Sequence, residues 1–186
     1  MTAQAKSVYK RVLLKLSGEC LMGSQEFGID REACVNIANS IKQLVETGTQ
    51  VGIVIGGGNF FRGEKTSSTL QIARAQADYI GMLATLMNGL ILQEALANVG
   101  AECRLMSALK FIEVAEPIVW NKAIDHLEKK RVVIFVGGTG NPYFTTDTAA
   151  SLRANEIQAD ILLKATKVDG VYDKDPMQHS DAVKYN

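Results

Sequence analysis

The sequence predicts an α/β fold built on a mostly parallel sheet that is covered by helices on both faces. Three observations carry that expectation. Short continuous apolar runs match strands buried on both sides, stripes of period 3.6 match amphipathic helices, and the two kinds of segment alternate along the chain. With 186 residues, 47% of them apolar and 22% charged, the chain is long enough for one domain with its own core.

The first strand is expected over Val12 to Leu16. In the segment DREACVNIANSIKQLVETG that follows, Ala33, Ile37, Ile41, Leu44 and Val45 share one helical face. Asp30 is placed to cap its N-terminus and Gly48 suits the C′ position. Val51 to Ile55 reads as the second strand. From Ser68 to Val99 a broad apolar face is interrupted by Gly81 and Gly89, which predicts one kinked helix or two in succession. Glu102 to Met106 is the third strand. Ile118, Ala123, Ile124 and Leu127 then make a helical stripe whose basic end, Glu128-Lys129-Lys130-Arg131, complements the helix dipole. A strand over Val132 to Val136, a helix over Ala149 to Ile157 and a strand over Ile161 to Leu163 complete the alternation.

Composition excludes several classes. Twenty Lys+Arg balance twenty Asp+Glu, so no general field favours nucleic acid or an anionic membrane, and neither partner is expected. Cys20, Cys34 and Cys103 show no C-x-x-C spacing and cannot close a disulfide framework, which points to a reducing cytoplasm and away from structural zinc. The opening MTAQAKSVYKR lacks the apolar stretch of a signal peptide, and no apolar run is expected to reach the roughly 20 residues that span a bilayer.

Three strand ends run into glycine-rich turns: LLKLSGE at 13 to 19, IVIGGGNFFRG at 53 to 63 and FVGGTGNPYFTTDTAA at 135 to 150. Exposed N–H donors, no Cβ and φ values that glycine alone adopts cheaply are what a phosphate needs from a backbone. Parallel strands place these turns at one edge of the sheet, so they can converge on one polyanion or two adjacent ones. The P-loop G-x-x-x-x-G-K-[ST], a complete G-x-G-x-x-G, G-x-S-x-G, H-E-x-x-H and H-R-D are all absent from the sequence. His126, read as lying on an exposed helix face, and His179, in a polar tail, argue against histidine acid–base catalysis.

What remains beside the glycines is charge and hydroxyl: Lys15, Arg62, Thr139, Thr145, Thr146 and Asp147. Lys15 either meets an anion, pairs with a carboxylate or snorkels to solvent. Arg62 is either a phosphate fork or a surface residue, and Asp147 either serves the site or caps the helix near Ala149. Together they suggest phosphoryl transfer, which asks a protein chiefly for positioning and charge stabilisation.

The stretches KLSGE (15 to 19), GGGNFFRG (56 to 63), ADYIGMLATLMNG (77 to 89), GTGNPYFTTDTAA (138 to 150) and KATKVDGVYDKDP (164 to 176) resemble, in unbroken order, those of the bacterial uridylate kinases (UMP kinases) of the amino acid kinase family. The resemblance implies a three-layer α/β/α sandwich forming a single domain over residues 1 to 186. An acceptor lobe would cover about 1 to 130 and the start of an ATP lobe about 131 to 186, with the C-terminal part of the family fold missing. It implies transfer of the ATP γ-phosphoryl group to UMP, in pyrimidine nucleotide biosynthesis, with Mg2+ held by the nucleotide phosphates and no protein metal ligand.

By the same resemblance Lys15, Arg62 and Asp147 are catalytic. ATP would be held by Lys15, Leu16, Ser17, Gly18, Gly58, Arg62, Thr166, Tyr172 and Asp175. UMP would be held by Gly57, Asp78 and the segment Thr139, Gly140, Asn141, Pro142, Tyr143, Phe144, Thr145 and Thr146. An allosteric GTP activator would act through Gly23, Ser24, Gln25, Glu26, Phe27 and Gly28, although the Glu26 carboxylate would repel a triphosphate. UTP would inhibit, and the chain would form a homohexamer built partly on the 68 to 99 helix. A nucleotide-binding regulator without catalysis has no use for all of Lys15, Arg62 and Asp147. A kinase of a small acid such as carbamate has no use for Asp78 and GTGNPYFTTD.

Overall fold

The computed structural model describes residues 8–61, 71–165, 170, 172–174, 176 and 179–185. The elements run β1 (Arg11–Leu16), a 3-10 turn (Gly18–Leu21), α1 (Arg31–Glu46), β2 (Gln50–Ile55), α2 (Arg74–Asn98), β3 (Cys103–Ser107), β4 (Glu116–Pro117), α3 (Trp120–Glu128), β5 (Val132–Val136), α4 (Thr146–Glu156) and β6 (Ile161–Lys164). The strands form one sheet in the order β4-β3-β5-β2-β1-β6, and every neighbouring pair among them is parallel.

Alternation along the strands separates two cores. Val12, Leu16, Val51, Ile53, Ile55, Val132, Ile134 and Val136 pack with Cys34, Ala38 and Ile41 of α1 and Leu86, Leu92 and Leu96 of α2. Leu13, Val54, Val133 and Phe135 point the other way, onto Ala123 and Leu127 of α3 and Ala149 and Ala150 of α4. Three layers follow, with the sheet in the middle.

The helix ends of α1 match expectation: Asp30 Oδ1 accepts from the Ala33 amide at 2.7 Å, and Gly48 takes a left-handed φ of 89° just past the C-cap. The second helix differs. Arg74 to Asn98 is one continuous helix in which both glycines are embedded. A Cβ at Gly89 would fall 2.5 Å from Val136 Cγ1 and 2.7 Å from Leu105 Cδ1, so this glycine lets α2 lie flat on the sheet.

By length and composition α2 is also apolar enough to cross a membrane, contrary to the expectation that no segment would be. Its buried side belongs to the core with Leu92 and Leu96, while Tyr79, Ile80, Leu83, Met87 and Leu90 form a stripe exposed along the opposite side.

His126 is another correction. It is buried, with Nε2 3.4 Å from Glu116 Oε1 and Nδ1 3.3 Å from Arg131 Nη1.

Candidate active site

Lys15 occupies the last turn of alternation before β1 ends, on the same side as Leu13, so its stem runs along the sheet toward α4. Its Nζ lies 2.9 Å from Asp147 Oδ1. Of the alternatives open for Lys15, pairing with a carboxylate is the one realised. Parallel register sets Lys164 of β6 opposite Lys15, on the same face, and Lys164 Nζ reaches the other oxygen of Asp147, Oδ2, also at 2.9 Å. One carboxylate thus holds two ammonium groups side by side.

Asp147 does not cap α4. The cap is Thr145, whose Oγ1 accepts from the Thr148 amide, and this leaves Asp147 in the first turn with both oxygens directed at lysines. Burial pushes its carboxyl up, but the hydrogen bonds and charges of Lys15 and Lys164 outweigh that and hold it below the ordinary carboxylate range. The cluster carries a net positive charge at the N-terminus of α4, where the helix dipole adds to it.

Beside this cluster a cleft of about 160 Å³ is lined by Gly57, Phe61, Asp78, Met82, Thr85, Phe144 and Thr146 among others. Asp78 is engaged twice: Oδ1 accepts from Arg74 Nε at 2.9 Å and Oδ2 from the Tyr143 amide at 2.7 Å. Tyr143 has φ of 72°, uncommon for a side chain of this size. The chain thus turns sharply where the Tyr143 N–H meets Asp78, and Phe144 and Thr146 just beyond line the cleft.

The glycines serve two purposes, not one. Gly137, Gly138 and Gly140 take φ values of 77°, 59° and 82°, as a phosphate-cradling turn requires, and the Gly137 amide is held by Thr85 Oγ1 at 2.8 Å. The triple glycine does not adopt positive φ, correcting the expectation for that turn. Gly57 is required for space: a Cβ there would lie 2.8 Å from Ala84 Cβ and from the Gly81 carbonyl oxygen. Ser17 turns its Oγ to the Glu19 amide, while Leu16 is buried in the core. Thr139 Oγ1 accepts from the Asn141 amide, and Pro142 and Phe144 extend the same turn.

Arg62, Thr166 and Asp175 lie outside the described residues. Tyr172 stands in an isolated antiparallel bridge with Lys184. The Gly23 to Gly28 loop packs on the turn after β2, with Phe27 edge-on to Phe60 at 5.7 Å.

Sequence reasoning passed over Lys164, Arg74 and Thr85, and over two buried amides, Asn59 and Asn88, beneath the triple glycine. Lys164, Thr85, Asn59 and Asn88 stood in motifs already singled out; their partners lie far away in the chain.

A family model described as the amino acid kinase family matches residues 10–186. A uridylate kinase of Protochlamydia amoebophila is 58% identical over 177 residues, covering 95% of this chain and 70% of that protein. One of Dichelobacter nodosus is 54% identical over 186 residues, covering all of this chain and 77% of its own. Among solved structures, UMP kinase from Bacillus anthracis superposes with a TM-score of 0.88 at 41% identity, over 95% of this chain and 73% of that one. Fold, glycine turns and sequence agree, and the chain belongs to the amino acid kinase family, alongside its uridylate kinases.

Proposed function

We propose that this protein transfers the γ-phosphoryl group of ATP to UMP, giving UDP and ADP, as a step of pyrimidine nucleotide synthesis. The observation that carries the reading is the Lys15–Asp147–Lys164 cluster standing beside the Asp78 cleft at the carboxyl edge of a parallel sheet. A UMP phosphate oxygen attacks the γ-phosphorus in line, the bond to the β,γ-bridging oxygen breaks, and ADP leaves with the electron pair. The acceptor phosphate is largely dianionic at neutral pH, so no general base is needed. Lys15 and Lys164, aligned by Asp147, stabilise charge on the equatorial oxygens. Asp147 turns one oxygen to each ammonium group, which suits Mg2+ carried by the nucleotide phosphates. Bound with the nucleotides, Mg2+ would supply neutralisation of phosphate charge beside Lys15 and Lys164.

In this reading Lys15, Leu16, Ser17, Gly18 and Gly58 meet ATP phosphates, with Arg62, and Thr166, Tyr172 and Asp175 meet adenosine. Gly57, Asp78 and residues 139 to 146 hold UMP, Asp78 accepting from ribose hydroxyls. UTP shares the uridine of the acceptor and would compete for the cleft. An effector such as GTP at Gly23 to Gly28 would act through the Phe27–Phe60 contact. The exposed apolar stripe of α2 supports assembly of several copies, six being the number the family resemblance suggests. Three free thiols suit a cytoplasmic setting.

The test is ADP formation with Mg-ATP and UMP beside CMP, AMP and carbamate. Selective turnover with UMP is expected; equal or greater turnover with another acceptor overturns the assignment.

A further inference from the structure

Two buried side-chain amides meet beneath the phosphate-facing turns. Asn88, of α2, is 0% exposed and Asn59, just after the triple glycine, is 2% exposed. Asn88 Nδ2 donates to Asn59 Oδ1 at 2.6 Å and Asn59 Nδ2 donates to Asn88 Oδ1 at 2.9 Å, closing a reciprocal amide ring. Each NH2 has a second proton. Asn88 spends it on the Gly56 carbonyl at 2.7 Å and Asn59 on the Gly28 carbonyl at 3.0 Å. The Asn59 main-chain carbonyl in turn accepts from the Gly28 amide at 3.1 Å.

A buried polar pair costs stability unless every donor is satisfied, and here all four N–H groups are. Only an amide does this at both positions: a carboxylate has no donor for a carbonyl, and an aliphatic side chain would leave the Gly56 and Gly28 oxygens bare. The ring also touches the first glycine turn. A Cβ at Gly18 would fall 2.4 Å from Asn59 Oδ1, 2.7 Å from the Gly56 oxygen and 2.9 Å from Asn88 Nδ2, so the KLSGE backbone rests directly on the pair. Next to it the Gly56 amide donates to the Leu16 carbonyl at 2.9 Å.

We infer that Asn59 and Asn88 are positioning residues for phosphoryl transfer: their amide ring sets the spacing between the turn after β1 and the turn after β2. This rests on the proposed function, in which the first turn faces ATP phosphates and Gly57 of the second faces UMP. In-line transfer is sensitive to that spacing, since a displacement of about 1 Å costs on the order of 100-fold in rate. Neither amide touches a substrate in this arrangement. Each acts through a glycine backbone.

The experiment compares wild type with Asn88→Asp, a near-isostere that keeps one acceptor and loses both donors. Turnover at saturating substrates is expected to fall about 10- to 100-fold, by more than either KM rises. Protonating the buried carboxyl restores one donor, so the ratio of variant to wild-type turnover should climb as the pH is lowered from about 8 to about 6. Amide hydrogen exchange gives a readout that needs no activity: the Gly56 and Gly28 amides should exchange at least about 10-fold faster in the variant while amides inside β1 and β2 keep their protection.

Unchanged exchange at both glycines, or an equal rise throughout β1 and β2, overturns the inference, as does a turnover loss with no pH recovery. Asn59→Asp, which keeps its acceptor for Asn88 and loses the grip on Gly28, is run in parallel should Asn88→Asp not fold; it must speed exchange at the Gly28 amide. Wild-type protein silent toward UMP overturns the functional reading and with it the catalytic half of this inference, and the exchange measurement still decides whether the amide ring sets the spacing of the two turns.

Discussion

Lys15 and Lys164 face each other across adjacent parallel strands and share one carboxylate, each Nζ 2.9 Å from a different oxygen of Asp147. Two like charges on neighbouring strands repel, and the arrangement persists because an anion lies between them. A phosphoryl group in transfer is a second anion that this pair can receive. Replacing Lys164 by Met should therefore lower turnover about 10- to 100-fold with little change in the KM for UMP, and Lys164→Arg should recover part of it. Steady-state kinetics of the three proteins check this; equal losses in the Met and Arg variants would point to packing instead of charge.

Asp147→Asn should lose most turnover with modest change in UMP affinity, measured by kinetics and calorimetry side by side. It should also alter acid stability. The folded carboxyl titrates below its ordinary value of 3.8, so its contribution is complete above that pH and is lost as the pH falls through the folded value. The stability gap between wild type and variant is thus expected to be flat from neutral pH down to about 4 and to close below it.

Asp78→Ala should raise the UMP requirement far more than the ATP requirement. It removes the acceptor for the Tyr143 amide, so the 139 to 146 segment loses the contact that holds it over the cleft. Parallel KM determinations decide it: equal effects on the two substrates contradict the placement of Asp78 in the acceptor site.

Neighbouring glycines should respond oppositely to alanine. At Gly57 the new methyl meets Ala84 Cβ, the Gly81 oxygen and the Thr85 amide, none of which yields, and a cost of about 1–3 kcal/mol is expected. At Gly58 the nearest atom is Glu19 Oε1 at 4.0 Å, and stability should stay within about 0.5 kcal/mol. Denaturant unfolding of both variants gives the comparison.

Burial pushes the Cys103 thiol up to about 11, with Arg104 opposing and Glu102 adding to the shift. Its thiolate is scarce at neutral pH, so iodoacetamide should leave Cys103 unmodified in the native protein and modify it after denaturation, as mass spectrometry would show.

Where the sequence was readable, a repeated pattern made it so. Val132 to Val136 is five apolar residues between a basic turn and two glycines, and β5 has those bounds. Glu116–Pro117 escaped notice because a strand of two residues has no period to detect. Lys15 announced itself as a charge in an apolar strand, whereas Lys164 closes an exposed edge strand, where lysine is ordinary. Its meaning comes from register with Lys15, a relationship that only the closed sheet creates. Asn59 and Asn88 were hidden for the same reason: an asparagine in a turn or on a helix attracts no comment until its partner is known to be another asparagine.

The strand order also bears on how the molecule comes into being. β1 is the first strand made, yet it is enclosed between β2 and β6, the last strand of the sheet. During synthesis Lys15 must wait for residues 147 and 164 to emerge before its charge is answered, so the Lys15–Asp147–Lys164 cluster is completed only when nearly all of the described chain exists. Pairings so distant in sequence form late and slowly. A nascent chain would therefore carry α1 and α2 long before the two lysines share their carboxylate, which ties the completion of this cluster to the completion of folding.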